Sequence, residues 1–99
     1  MPRTVKFSSD SKKEILVALA YYFEESSDAA TKFRATLKYA VTQISEFPHR
    51  YPILIDDLRR VVLLRFPFIV VYQICDDHIY VVAVAHAKRF PFYWKRDKR

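Results

Sequence analysis

Apolar and polar positions change their period twice along the chain. From Thr4 to Ser8 they alternate, with Val5 and Phe7 on one side, as in a short strand. From Ser11 to about Glu25 the period lengthens, and Ile15, Ala18, Leu19 and Tyr22 recur along one helical face, with Lys12, Lys13 and Glu14 near its solvent end. Ser11 and Glu14 have the spacing of a capping box, in which hydroxyl and carboxylate satisfy each other's orphan backbone amides. Ser26, Ser27 and Asp28 break the pattern and can cap a second helix. In that helix Phe33, Leu37, Ala40, Val41 and Ile44 share a face, and Pro48 stops it near Glu46. Two amphipathic helices joined by two or three residues form a hairpin whose joint apolar face has to cover something.

The period then shortens again. His49 to Asp57 reads as a loop punctuated by Pro52, with Ile53, Leu54 and Ile55 tucked beneath it. Three strands follow, about Arg59 to Leu64, Phe66 to Cys75 and His78 to Ala87, the last two joined by a tight turn at Asp76 and Asp77. Short links make the order antiparallel. The predicted fold is α+β, with the N-terminal strand and a three-stranded antiparallel meander forming one four-stranded sheet on two helices. Along the central strand Phe68, Val70, Tyr72 and Ile74 face one way, and Ile69, Val71, Gln73 and Cys75 the other. Both sets are largely apolar, and two helices cover only one. A large apolar patch left over marks a protein partner. The alternative is that loops and the C-terminal segment fold over that face.

With 99 residues the chain has the size of a single domain, 1–99, able to bury roughly 65% of its unfolded surface. At 52% apolar and 28% charged residues it is globular rather than disordered. No run approaches the ~20 apolar residues of a membrane span. The opening MPRTVKF lacks the apolar core of a signal peptide, and the lone Cys75 cannot form an internal disulfide, so the expected location is cytoplasmic, away from any membrane. Cys75, in an apolar strand, reads as a small buried hydrophobe. Glycine is absent, which excludes a Walker loop and a dinucleotide fingerprint, and with them a nucleotide cofactor. Lys and Arg outnumber Asp and Glu by 17 to 11, and basic residues crowd the last twelve positions. That balance suits RNA, DNA or an acidic protein partner, and it also serves solubility alone.

Candidate chemistry gathers after the last strand. Cys75 and His78 are three apart, but His49 and His86 sit in unrelated elements, so neither a metal nor another cofactor is expected. RNA cleavage without a metal needs a base for the 2′-hydroxyl, cations for the charge on phosphorus and an acid for the leaving oxygen. His86, Lys88, Arg89 and Tyr93 fall within eight residues and together can supply these roles. Trp94 can stack on a base while Arg59, Arg60, Arg65, Lys95 and Arg96 hold the backbone. Structural roles stay open for the same residues: His86 as a hydrogen-bonding group in the sheet, Tyr93 and Trp94 as pins for the C-terminus, and Arg89 as counterion to a carboxylate.

The order strand, helical hairpin, three strands, with RRVVLLRFPFIVVYQI, YYFEESSDAATKF and the ending HAKRFPFYWKR, resembles the RelE/ParE superfamily of type II toxin–antitoxin toxins over nearly the whole chain. Its most specific parts are Arg65-Phe66-Pro67-Phe68 running into Tyr72, and His86-Ala87-Lys88-Arg89 followed by Pro91, Tyr93 and Trp94. The resemblance implies a toxin neutralised by a cognate antitoxin, for which Ile69, Val71, Val82 and Val84 are the candidate contact residues. RelE-like members cut messenger RNA on the ribosome, whereas ParE-like members poison DNA gyrase without being nucleases. In RelE-like cutters an arginine commonly sits three residues before the tyrosine matched by Tyr72. Here that position is Ile69, and the lysines expected ahead of the second strand are replaced by Ile53-Leu54-Ile55-Asp56-Asp57. The set around His86 still puts ribosome-dependent cleavage by a metal-independent endoribonuclease first. Gyrase inhibition and a non-toxic binding protein that keeps only the fold are the alternatives.

Overall fold

A computed structural model describes residues 2–88. Its elements are β1 (Thr4–Phe7), α1 (Ser9–Glu25), α2 (Ser27–Glu46), β2 (Ile53–Ile55), β3 (Leu58–Val62), β4 (Phe68–Ile74) and β5 (His78–His86). The strands form one sheet in the order β1-β5-β4-β3-β2. β2 to β5 pair antiparallel in chain order, and β1 returns to lie parallel to β5, Thr4 beside His78 and Phe7 beside Val81. The expected α+β architecture is present with one strand more than expected. Ile53–Ile55 pairs with β3 across a turn at Asp56 instead of lying as a loop, and Pro52 just before it fits an edge strand. Lacking glycine, the chain has Asp56 (φ 53°) and Arg65 (φ 70°) as the left-handed residues among those described. Asp tolerates this conformation by local hydrogen bonding, whereas at Arg65 it costs about 1–2 kcal/mol.

The start of α1 differs from the capping box read in the sequence. Ser8, not Ser11, is the N-cap: its Oγ accepts from the Ser11 N–H at 3.0 Å and donates to the Val82 carbonyl at 2.8 Å. Glu14 turns away from the helix end and accepts the Val84 N–H at 2.7 Å. The cause is a mismatch of lengths. β1 has four residues and β5 nine, so once the Ser8 N–H has bonded the Val81 carbonyl at 2.9 Å, the outer edge of β5 runs on beside no strand. Buried backbone groups need partners, and α1 brings a hydroxyl to Val82 and a carboxylate to Val84. At the other end Ser26 closes one helix and opens the next. Its N–H donates to the Tyr22 carbonyl at 3.0 Å and its Oγ accepts from Ala29 at 3.0 Å. One residue doing both keeps the hairpin tight.

Phe33, Leu37, Ala40 and Ile44 of α2 pack on Val61, Leu63, Val70, Tyr72, Ile79, Val81 and Val84 of the sheet. Tyr22, Phe33, Phe66 and Phe68 add an aromatic knot in which Phe33 stacks on Tyr22 at 5.3 Å and meets Phe66 and Phe68 edge-on at 5.3 and 5.4 Å. The opposite face of the sheet carries a second cluster of Leu58, Val71, Val82, Ala83 and Ala85, with Leu54, Ile55, Ile69 and Tyr80 partly buried around it. This corrects the expectation of a bare apolar face, since Val71 is fully buried and Val82 and Ala83 are 1% exposed.

It also separates the four proposed contact residues. Val71 pairs with Ala83 but Tyr72 with Val81, so Val82 is an extra residue in β5. That bulge shifts the alternation, and Val81 and Val84, three apart, both face the helices while Val71 and Val82 face away. Ile69, Val71, Val82 and Val84 therefore share no single face. The exposed large apolar side chains lie elsewhere: Leu16, Val17, Tyr21 and Phe23 on α1, Tyr39 on α2, Phe47 just after it, and Ile53, Val62 and Leu64 toward the β2 edge.

The Glu14 bond to β5 has a measurable weight. Glu14→Ala leaves the Val84 N–H without its acceptor and is expected to lower stability by about 1–3 kcal/mol in urea denaturation, with Glu14→Gln, which keeps an acceptor, losing clearly less. Equal losses in both variants would show that the bond is not what holds α1 to the sheet.

Candidate functional site

The Arg65–Pro67 link between β3 and β4 meets the end of β5. Phe68 pairs with His86, their rings stand edge-on at 5.2 Å, and the Ala87 N–H donates to the Pro67 carbonyl at 2.7 Å. The Lys88 N–H donates to His86 Nδ1 at 3.1 Å. That bond makes Nδ1 the acceptor of the neutral ring and leaves the proton on Nε2. Lys88 and Arg65 are both exposed at this end of the sheet, and the left-handed backbone of Arg65 turns the chain toward Pro67. Arg65, His86 and Lys88 are thus the predicted residues that the fold brings to one place. Arg89, Tyr93, Trp94, Lys95 and Arg96 lie outside the described residues. Within those described, no three metal-ligating side chains come together.

Arg59 and Arg60 do not join this group. They begin the other end of β3 and, as neighbours on a strand, point to opposite faces. Arg59 Nη1 donates to the carbonyls of Tyr51 at 2.7 Å and His49 at 3.4 Å, so it ties down the segment after α2. It was expected to hold RNA, and its chief contacts are internal. Tyr72 is similarly committed. Its ring is fully buried in the helix-side cluster and its hydroxyl donates to the Pro48 carbonyl at 2.6 Å. Burial pushes the phenol up to about 12, against a lowering by Arg59 and with a further rise from Tyr51. A tyrosine in that state is a fastener for the end of α2, not an acid or base within reach of a substrate.

Residues 5–90 match the family model described as the ParE toxin of the type II toxin–antitoxin system parDE. The chain belongs to the ParE toxin family. A solved structure of the chromosomal ParDE toxin–antitoxin system from P. aeruginosa superposes with a TM-score of 0.75 at 13% identity, covering 87% of this chain and 97% of that one. At that identity the likeness is one of fold. A search of curated proteins found no match.

Membership in the ParE family covers every element described, from β1 through the end of β5, and so includes Arg65, His86 and Lys88. Sequence reasoning missed the opposite side of the same place. The outer wall of β5 beside α1 forms a groove in which Asp10, Glu14 and Glu25 stand with Tyr21 and Tyr22. The carboxylates fall at helical spacing from Asp10 onward, but the chain's overall positive charge drew attention to the cations.

Alkaline titration tests the role assigned to Tyr72. Its folded-state value lies above the ordinary tyrosine value of 10, so the stability tied to the neutral phenol is complete below pH 10 and is lost as pH rises from about 10 to about 12. Tyr72→Phe is expected to flatten that part of the stability profile relative to the parent chain. Identical profiles would place the hydroxyl in solvent.

Proposed function

We propose that this chain is the toxin of a type II module, held in check in the cytoplasm by a cognate antitoxin, and that it acts by binding DNA gyrase rather than by cutting RNA. The observation that carries this reading is the match of residues 5–90 to the ParE family, whose members, by the resemblance described above, poison gyrase without being nucleases. The arrangement of side chains supports it. Position 69 carries Ile where RelE-like cutters commonly have arginine. Tyr72 is bonded to Pro48 inside the core, and Arg59 is bonded to the segment after α2. Among the described residues, Arg65 and Lys88 are exposed beside His86 at the end of the sheet, a cationic edge suited to contact a large partner. The order of the two targets is therefore the reverse of the one read from the sequence.

Expression without the antitoxin separates the readings. Gyrase inhibition predicts relaxed plasmid DNA and a DNA-damage response while messages stay intact. Cut ribosome-bound messages with normal supercoiling would overturn it. His86→Ala sharpens the contrast. Loss of a general base costs about 10²–10⁴ in rate, whereas loss of one contact at a protein interface is expected to shift the toxic dose by less than about tenfold.

A further inference from the structure

We propose that residues 89–99 fold back as an extended strap over the face of the sheet opposite the helices, with Phe90, Phe92 and Trp94 turned inward. The inference rests on the fold alone and holds whether gyrase or RNA is the target. On that face Val71 is fully buried, and Val82, Ala83 and Ala85 are each 1% exposed. Among the described residues, every member and neighbour of this cluster belongs to a strand, and neither helix contributes one. Strand neighbours shield a side chain from the sides but leave its tip open, so a methyl as short as that of alanine is buried only beneath a second layer. The burial belongs to a single chain, and so does the layer that produces it.

Reach, composition and one buried acceptor select the segment. The chain leaves β5 at His86, and the Ala87 N–H holds it to the Pro67 carbonyl at 2.7 Å, at the corner where Ala85 pairs with Ile69. Residues 89–99 then read RFPFYWKRDKR. Pro91 pushes Phe90 toward extended backbone, and in an extended segment Phe90, Phe92 and Trp94 share one side. Their rings supply the apolar area that a face lined by valine and alanine lacks. At roughly 3.3 Å per residue Trp94 reaches about 20 Å beyond Lys88. Gln73, toward the opposite end of the face, lies only about 13 Å along β4 from Ile69. Gln73 is 9% exposed; its Nε2 donates to Asp57 Oδ2 at 2.7 Å, while its Oε1 is buried without a donor. Buried acceptors are met by donors, and the indole N–H of Trp94 is one within reach. Lys95 and Arg96 follow it toward the β2–β3 turn, where Asp56 and Asp57 are exposed, so charge favours the same course across the sheet. Such a strap carries Tyr93 roughly 20 Å from His86, and the two do not meet on one substrate.

Trp94 is the chain's one tryptophan, so fluorescence of the full chain reports on the strap directly. Its emission in the folded chain is expected to lie to the blue of the urea-unfolded chain and to resist quenching by acrylamide, equally at all concentrations where sedimentation shows a monomer. Nuclear Overhauser contacts should join the Phe92 and Trp94 rings to the Ala83 and Ala85 methyls. Phe92→Ser should raise quenching of Trp94 and leave the helical circular dichroism unchanged, because Phe33 and Ile44 hold the helices to the other face. Emission and quenching equal to those of the unfolded chain, ring contacts to the helices alone, or indifference of Trp94 to Phe92→Ser would each overturn the proposal. Shielding that appears only as concentration rises would overturn it too, by making a second copy the cover. None of these readouts involves toxicity, so their failure leaves the gyrase reading standing.

Discussion

The outer edge of β5 is the constraint on which the rest of the structure depends. β5 pairs with β4 along the whole of one edge but with β1 along only part of the other. β1 is too short to finish the task, and the chain turns from strand to helix at Ser8 while β5 continues to His86. Two side chains at the start of the helix then take over from a strand, the N-cap Ser8 at the Val82 carbonyl and Glu14 of α1 at the Val84 amide. The start of α1 is thereby fixed to the sheet. The hairpin folds back through Ser26, α2 reaches the sheet with Phe33 and Ile44, and the core closes.

That same substitution of helix for strand divides the surface. On one side of the end of β5 lie Arg65 and Lys88 with His86, a cationic edge near the β3–β4 link. Beside α1 runs the groove that His86 also lines, with Asp10, Glu14 and Glu25. A molecule with a formal charge of +6 thus carries side chains of both signs around the end of one strand. Two of the groups that an RNA-cutting site would recruit from β3 and β4 are used for construction. Arg59 holds the turn after α2, and Tyr72 fastens Pro48.

Much of the fold was legible in the sequence because its periods are clean. Val5 and Phe7, the helical stripe from Ile15 to Tyr22, the Ser26–Asp28 break and Pro48 locate β1, α1 and α2 to within a few residues. What escaped depends on pairing rather than period. Ile53–Ile55 is too short to declare itself as a strand without β3 beside it. The Ser11–Glu14 spacing is sound for a cap, but Ser8 and the unpaired amide of Val84 compete for those side chains, and that amide is visible only once β1 is seen to stop. The bulge at Val82 carries no compositional signal, yet it decides which valines face the helices. Of the candidate site, the nearness of His86 and Lys88 was legible from their position in the chain, and that of Arg65 followed only from the β3–β4 link. The target was not legible, because the resemblance covers cutters and gyrase poisons alike, and the departure at Ile69 stood against the set around His86 without the burial of Tyr72 to weigh beside it.

Direct contact with gyrase is the central claim, and the supercoiling reaction reconstituted from purified gyrase, relaxed plasmid, ATP and this chain tests it with no ribosome or messenger present. The account predicts dose-dependent loss of supercoiling with accumulation of cleaved DNA held by gyrase, and rescue of the reaction by the cognate antitoxin. Full supercoiling at a large molar excess of folded chain would contradict it.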